Sequence, residues 1–415
     1  MHNSGEKNPN TSKKWLIIAF TIIAIVFVVY TSATHSLWPE LNTIVKKPDT
    51  DYLQKAAAGE NFSQTPIQST DPLWNYSTGG HVYSVATNSN GNHIIAGTDN
   101  NTLFNFYRNG SLSWNFSQTT GLSTQPYFKS VAMTADGDYI YAVRDLCPSC
   151  FFHRNGTLLW GCQNWESGKV IGVSGGISSD GSYLVMSTEI HNKVYFRNDT
   201  GKILWQFTTY DLENPSEWND HTGVHVSISA DGQHVAAVSE DSRVYFFNKS
   251  GSLLWSNITG RSLENVAMSA NGKYIAVASR DHNVYYYDAF GTRIWNYTTG
   301  GIVKNVAVNR DGNYITAGSD DSHVYLFDRN GTLLWKYLTG GPVDSVSMSL
   351  EGLTITAGSD DHSVYCFNPT GNLLWKYTTG DKVKSVSVSG DGEYVAAGSW
   401  DGNVYFFHRS GSNVG

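Results

Sequence analysis

Charge and proline are both scarce in this chain: 15% of its 415 residues are charged and 10 are proline, against 40 glycines. A disordered chain would carry more of the first two, and a helical one would carry fewer glycines and fewer aromatics than the 13% present. The mix suits many short strands joined by tight turns. Positive charge is short as well, with 28 Lys+Arg against 36 Asp+Glu and a formal net charge of −8. No basic stripe runs through the sequence, so nucleic acid is not an expected partner. The four cysteines include no adjacent pair, and there is no His-Glu-x-x-His and no phosphate loop.

Lys and Arg are missing altogether between Lys14 and Lys46, and within that gap Trp15 to Tyr30 form an apolar run. With Thr31 to Thr34 it gives 20 uncharged residues, about 30 Å of helix and enough to cross a bilayer. Lys7, Lys13 and Lys14 precede the run, so the positive-inside rule puts the N-terminus in the cytoplasm and the rest outside. A cleaved signal peptide over residues 15–33, ending at Thr31-Ser32-Ala33, is the alternative, and either reading exports the body of the protein. The expected layout is a cytoplasmic tail (1–14), a transmembrane anchor (15–34), an extracytoplasmic linker (35–70) and a repeat domain (71–411).

Eight tryptophans mark the repeat: Trp74, Trp114, Trp160, Trp205, Trp255, Trp295, Trp335 and Trp375, four of their seven spacings being 40 residues. Each unit parses into four strands by alternation. Asp391-Gly392, Asp311-Gly312 or Asn271-Gly272 turns the first hairpin, and Asn330-Gly331 or Asn155-Gly156 turns the second. These dipeptides accept the positive φ of a tight turn. Four strands per unit of about forty residues predict an all-β, eight-bladed propeller. The first repeat element is a lone fourth strand (Leu73 to Ser77) and the last a third strand (Val404 to Phe407), so the ring is expected to close by pairing chain ends. At the repeated position the tryptophans read as inter-blade packing residues.

Two resemblances follow. The stretch Ala317 to Asp328, AGSDDSHVYLFD, resembles the end of a WD repeat, with Phe327-Asp328 in place of Trp-Asp. Asn198 to Trp205, NDTGKILW, is similar to the tryptophan-docking motif of pyrroloquinoline-quinone (PQQ) enzymes. The second resemblance implies an alternative as a PQQ-type oxidoreductase needing calcium and PQQ. That family uses adjacent cysteines and long inserts, which this chain lacks. No cofactor, metal or catalytic residue is therefore expected.

Three successive units carry insertions of 6, 4 and 10 residues between a fourth strand and the next first strand. Such connections share one face, which makes a contiguous patch the expected binding face, with neutral loop drift the competing reading. Its candidate partner-binding residues are Tyr127, Trp165, Glu166, Tyr210, Asp211, Glu213, Trp218, Asp220 and His221, and aromatics among carboxylates suit a protein, peptide or glycan. The N-terminal tether is expected on the opposite, short-loop face.

Asp and Ser of the repeated Gly-Ser-Asp-Asp (Gly318 to Asp321, Gly358 to Asp361) are expected to bond nearby backbone N–H groups, with calcium ligation as the alternative. Cys147-Pro-Ser-Cys150 falls in a turn rather than at a helix start, so a structural disulfide is expected, Cys147–Cys150 ahead of Cys150–Cys162. Cys366 reads as a buried free thiol. Of the eleven sequons that follow the apolar run, Asn75, Asn115, Asn257 and Asn296 come just after the blade tryptophans on the outermost strand and are the glycosylation candidates.

Overall fold

The computed structural model describes residues 68–117, 127–145, 149–161, 171–189, 192–209 and 223–411, all within the compact unit Gly59–Gly415. These residues form eight sheets, seven of four strands and one of five, arranged as an eight-bladed propeller. The apolar run, the linker up to residue 67, Cys147, Cys162 and the inserted loops lie outside the described residues.

Blade 6 shows why the sequence folds this way. Its strands are Val303–Val308, Tyr314–Ser319, His323–Asp328 and Leu333–Leu338, each antiparallel to the next. The two central strands are buried on both sides because a blade is sandwiched between its neighbours, so Val324, Tyr325, Leu326 and Phe327 form a continuous apolar run. The outermost strand has one wet side and alternates. Cores form between blades: Ala276, Ala278 and Tyr286 of blade 5 pack with Val303, Ile315 and Phe327 of blade 6.

The tryptophan lies on the outer strand and locks adjacent blades. Trp295 stacks on Tyr286 of its own blade, centroids 5.2 Å apart, and meets Phe327 of the next at 5.3 Å. Its Nε1–H donates to Arg329 O in the second hairpin turn of that next blade, at 3.0 Å. All eight repeat tryptophans make this bond, at 2.7 to 3.0 Å. The turn must be bare: at Gly331, where φ is +86°, a Cβ would lie 2.6 Å from Trp295 Cγ. The Asn-Gly pair thus serves both the turn and the ring docked on it. In blade 7 the stacking position holds Cys366, a buried free thiol whose pKa is pushed up by burial.

Ring closure is as expected. Trp74–Ser77 pairs antiparallel with Asn403–His408 as Trp74↔Phe406 through Ser77↔Asn403, completing blade 8. Gln68–Ser69 adds a parallel fifth strand to Leu373–Thr378 of blade 7, so the propeller begins at Gln68, inside the stretch assigned to the linker. This strand covers Trp375, which is 1% exposed while the other seven repeat tryptophans are half-buried. At the face of the first hairpin turns, backbone bonds run from blade to blade: Ser179 N–H to Ala230 O, Ala230 to Ala270, Ala270 to Arg310, Arg310 to Leu350, Leu350 to Gly390, and Asp391 to Ser89.

Two outcomes are expected from denaturant midpoints. Trp295→Phe keeps the stack but orphans Arg329 O and costs about 1 kcal/mol, while Trp295→Ala costs about 3 kcal/mol. Ser322 holds φ +65° in a turn where blade 8 uses Gly402. Ser322→Gly should therefore gain roughly 0.5–1 kcal/mol by relieving a left-handed conformation.

Candidate functional site

The turns joining second to third strands lie beside the connections from each fourth strand to the next first strand, as where Thr339 N–H bonds Ser322 O. In blades 4 to 8 each of these turns is closed by a repeated carboxylate, and in blade 1 Asn100 stands in its place. Asp321 Oδ1 accepts from His323 N–H at 3.0 Å, and its Oδ2 accepts from Gly300 N–H at 2.6 Å and Tyr325 Oη–H at 2.5 Å. Asp281 and Asp401 repeat the pattern, and Asp361 holds Gly340 N–H at 2.9 Å. Burial opposes ionisation of Asp321, but the tyrosine hydroxyl and backbone donors outweigh it and hold the carboxyl below its ordinary range. The Gly-Ser-Asp-Asp stretch is a turn device, and it also ties the incoming connection to the blade.

Toward the channel the innermost strands build a different site. In most blades the second residue of the first strand is a bulge, as between Val343 and Ser345 or Val383 and Ser385. A bulge leaves one residue out of the ladder and re-aims its side chain. The residues so placed are Tyr83, Lys129, Glu264, Lys304, Asp344 and Lys384. Each stands beside the residue that follows the second strand, and together they ring the mouth. Lys129 lies 3.3 Å from Asp145 and 3.4 Å from Glu189, and Lys304 lies 3.8 Å from Asp320. Glu264 pairs with Arg280, and Lys384 bridges Asp344 and Asp360, with Lys382 also on Asp360 at 2.6 Å.

The arc from blade 8 to blade 2 is aromatic. His81 and Trp400 have centroids 5.7 Å apart, Tyr83 and Trp400 6.0 Å, and Tyr83 and Tyr127 5.3 Å. Lys384 Nζ lies 4.6 Å over the Trp400 ring and Lys129 Nζ 5.2 Å over Tyr127. Trp400 Nε1–H is buried and donates to no protein atom. Burial, with Tyr127 and Asp99 nearby, raises the Tyr83 pKa. Burial pulls Lys129 down, but Asp145, Tyr127 and Glu189 outweigh it and keep the ammonium charged.

Tyr127 is the one predicted partner-binding residue among the described residues, and the structure brings it into this arc. Trp165, Glu166, Tyr210, Asp211, Glu213, Trp218, Asp220 and His221 lie outside the described residues. Sequence reasoning missed the ring itself. In VKSVSV, Val383 and Val386 are three apart where a regular strand alternates by two, and that skip was the available signal. Gly172 to Gly176 reads formally as Gly-x-Ser-x-Gly, but it lies within the strand Gly172–Ile177 and not at a strand-to-helix elbow. Ser174 Oγ there accepts from Val226 N–H of the next blade. Cys150 is buried, and a Cβ at Gly161 would lie 3.5 Å from Cys150 Sγ. The Cys147 pairing involves a residue outside the described set. Asn257 departs from the other glycosylation candidates: it faces between blades, and its Nδ2 donates to Gly291 O at 2.8 Å.

With this geometry in hand, comparison with known proteins is informative. A family model described as outer membrane protein assembly factor BamB matches residues 149–272 and 240–414, which together span well over half the chain. A second, described as WD domain, G-beta repeat, matches residues 72–104. Among solved structures, the C-terminal WD40 domain of Sif2 aligns with a TM-score of 0.69 at 14% identity, covering 82% of this chain and 99% of that one. At that identity the likeness concerns the fold alone. No curated protein sequence matches.

Asp344 is raised to about 6 by burial and by its hydrogen bond with Asp360, while Asp360 is lowered to about 2 because its bonds from Asp344, Lys382 and Lys384 outweigh its burial. A carboxyl with a raised folded pKa stabilises the fold below about pH 4 and loses that contribution as pH rises through 6. Replacing it with a neutral amide removes the dependence. The melting temperature of Asp344→Asn relative to wild type should therefore increase between pH 4 and pH 7. An unchanged difference would place the raised carboxyl elsewhere.

Proposed function

Since the chain belongs to the PQQ-like propeller-repeat family described as outer membrane protein assembly factor BamB, we propose that it is a non-catalytic binding or scaffolding module, anchored by residues 15–34 and displayed outside the cytoplasm. The observation that carries this reading is the aromatic arc of His81, Tyr83, Tyr127 and Trp400 at the channel mouth. It lies at the ends of the strands where each fourth strand hands the chain to the next blade, and the three insertions in the sequence fall in such connections. Large rings with polar edges, flanked by the Lys384 and Lys129 ammoniums, offer a partner apolar contact together with directional bonding. A protein, peptide or glycan fits that chemistry. The anchor rests on the apolar run and its flanking lysines.

A PQQ-type oxidoreductase is the second reading, favoured by the repeat family. The residues at the mouth do not fit PQQ with calcium. Glu264, Asp320, Asp344, Asp360, Asp145 and Glu189 each face an ammonium or guanidinium of the protein itself, so their charge is already neutralised. The adjacent cysteines that family uses are missing as well.

Partner capture by the full chain in its native envelope is the test. Trp400→Ala and, separately, trimming of the Tyr210–His221 loop should each weaken capture at least tenfold with little change in melting temperature. Capture unaffected by both changes would move binding off this face. Stoichiometric quinone absorbance after adding PQQ and calcium would favour the enzyme.

A further inference from the structure

Every blade ends in an outward edge strand, and in all but blade 2, whose strand stops at Trp160, the residue after the tryptophan sits at the outward centre of that edge. Register fixes the set: Asn75 opposite Tyr405, Asn115 opposite Phe104, Gln206 opposite Tyr195, Ser256 opposite Tyr245, Asn296 opposite Tyr285, Lys336 opposite Tyr325 and Lys376 opposite Tyr365. Blade 7 covers its edge with Gln68–Ser69, and blades 6 and 7 place a lysine there. Exposed leucines flank the same strands, Leu254, Leu334 and Leu338 among them. An unpaired edge with apolar flanks invites pairing with another chain, and charge at its centre opposes that.

We infer that Asn75, Asn115 and Asn296 are N-glycan acceptor sites whose sugars shield the outer edges of blades 8, 1 and 5, and that Asn257 is not one. The inference rests on the exported orientation proposed above. In all three sequons the Asn and the hydroxyl residue two positions on (Ser77, Ser117, Thr298) are exposed on the same outward side of the strand. In Asn257-Ile258-Thr259 the Asn is one residue further from the tryptophan, so it faces the next blade. Its amide nitrogen, the atom a glycan would need, is committed to Gly291 O. Strand parity alone separates one set from the other.

The test is site-by-site glycopeptide mass spectrometry on the full chain, made in a host that attaches N-glycans to exported proteins. Protease accessibility on intact cells is measured in parallel. Expected are high occupancy at Asn75, Asn115 and Asn296, and at least tenfold lower occupancy at Asn257. Ser256→Asn combined with Ile258→Thr moves the sequon to the outward position and should create a new occupied site in blade 4. The Asn75→Gln, Asn115→Gln, Asn296→Gln variant should self-associate at lower concentration while its melting temperature holds. Occupancy at Asn257 equal to the others, or bare edge sites beside occupied turn sites such as Asn109, overturns the inference and leaves export standing. A bare and protease-shielded domain overturns both.

Discussion

The ring depends on one bond and one stack, an indole N–H given to the backbone of the neighbouring blade and an indole face packed between two blades. Aromatic rings lie on both sides of it at Trp74, Trp205, Trp255 and Trp295. A blade alone would present apolar surface on both sides, so its stability comes from its neighbours. The tryptophan sets how those neighbours meet. Its N–H reaches a carbonyl in a hairpin turn, which fixes blade spacing and tilt together. Where the second stacking residue changes, the bond persists. At Trp160 the neighbouring blade supplies Arg197, its guanidinium 5.7 Å over the ring, and the N–H still meets Asp199 O at 2.7 Å. The directional contact is therefore the more constant of the two.

The channel mouth follows from the same architecture. Innermost strands converge at the axis, and their bulges release one side chain per blade from the ladder. Six blades spend that freedom on charge or an aromatic ring. Most of the charges neutralise each other around the circle, so the mouth is rigid and polar, and the aromatic arc is its discontinuity. Burial in this rim raises the carboxyls of Asp344 and Asp145, and a neighbouring carboxylate, Asp360 or Glu189, adds to the shift.

Much of the fold was legible because its signals are periodic. The tryptophan spacing, the Asp-Gly and Asn-Gly turns and the order of strands at the two ends were enough for eight blades and their closure. The mouth was not legible by the same route, since a bulge breaks the alternation that strand reading relies on. The side that Asn257 faces went unread for a related reason: its sequon was seen on the outermost strand, but its distance from Trp255 was not turned into a side of that strand. Gln68–Ser69 was assigned to the linker because two polar residues carry no pattern, and only the uncovered edge of blade 7 gives them a place.

Closure through the chain ends also sets a schedule. The contact between Thr78 and Gly402 joins residues 324 apart, so the strand Trp74–Ser77 has no partner until the rest of the ring has been synthesised. At about 5–20 residues per second that wait is on the order of tens of seconds. Blades 1 to 7 can assemble as they emerge, each docking its tryptophan on the turn that follows. The strand at Trp74–Ser77 waits, and the nascent arc stays open at one seam. The hairpin over residues 394–408 is thus the last part of the ring to close, and truncation there leaves an arc with two raw edges.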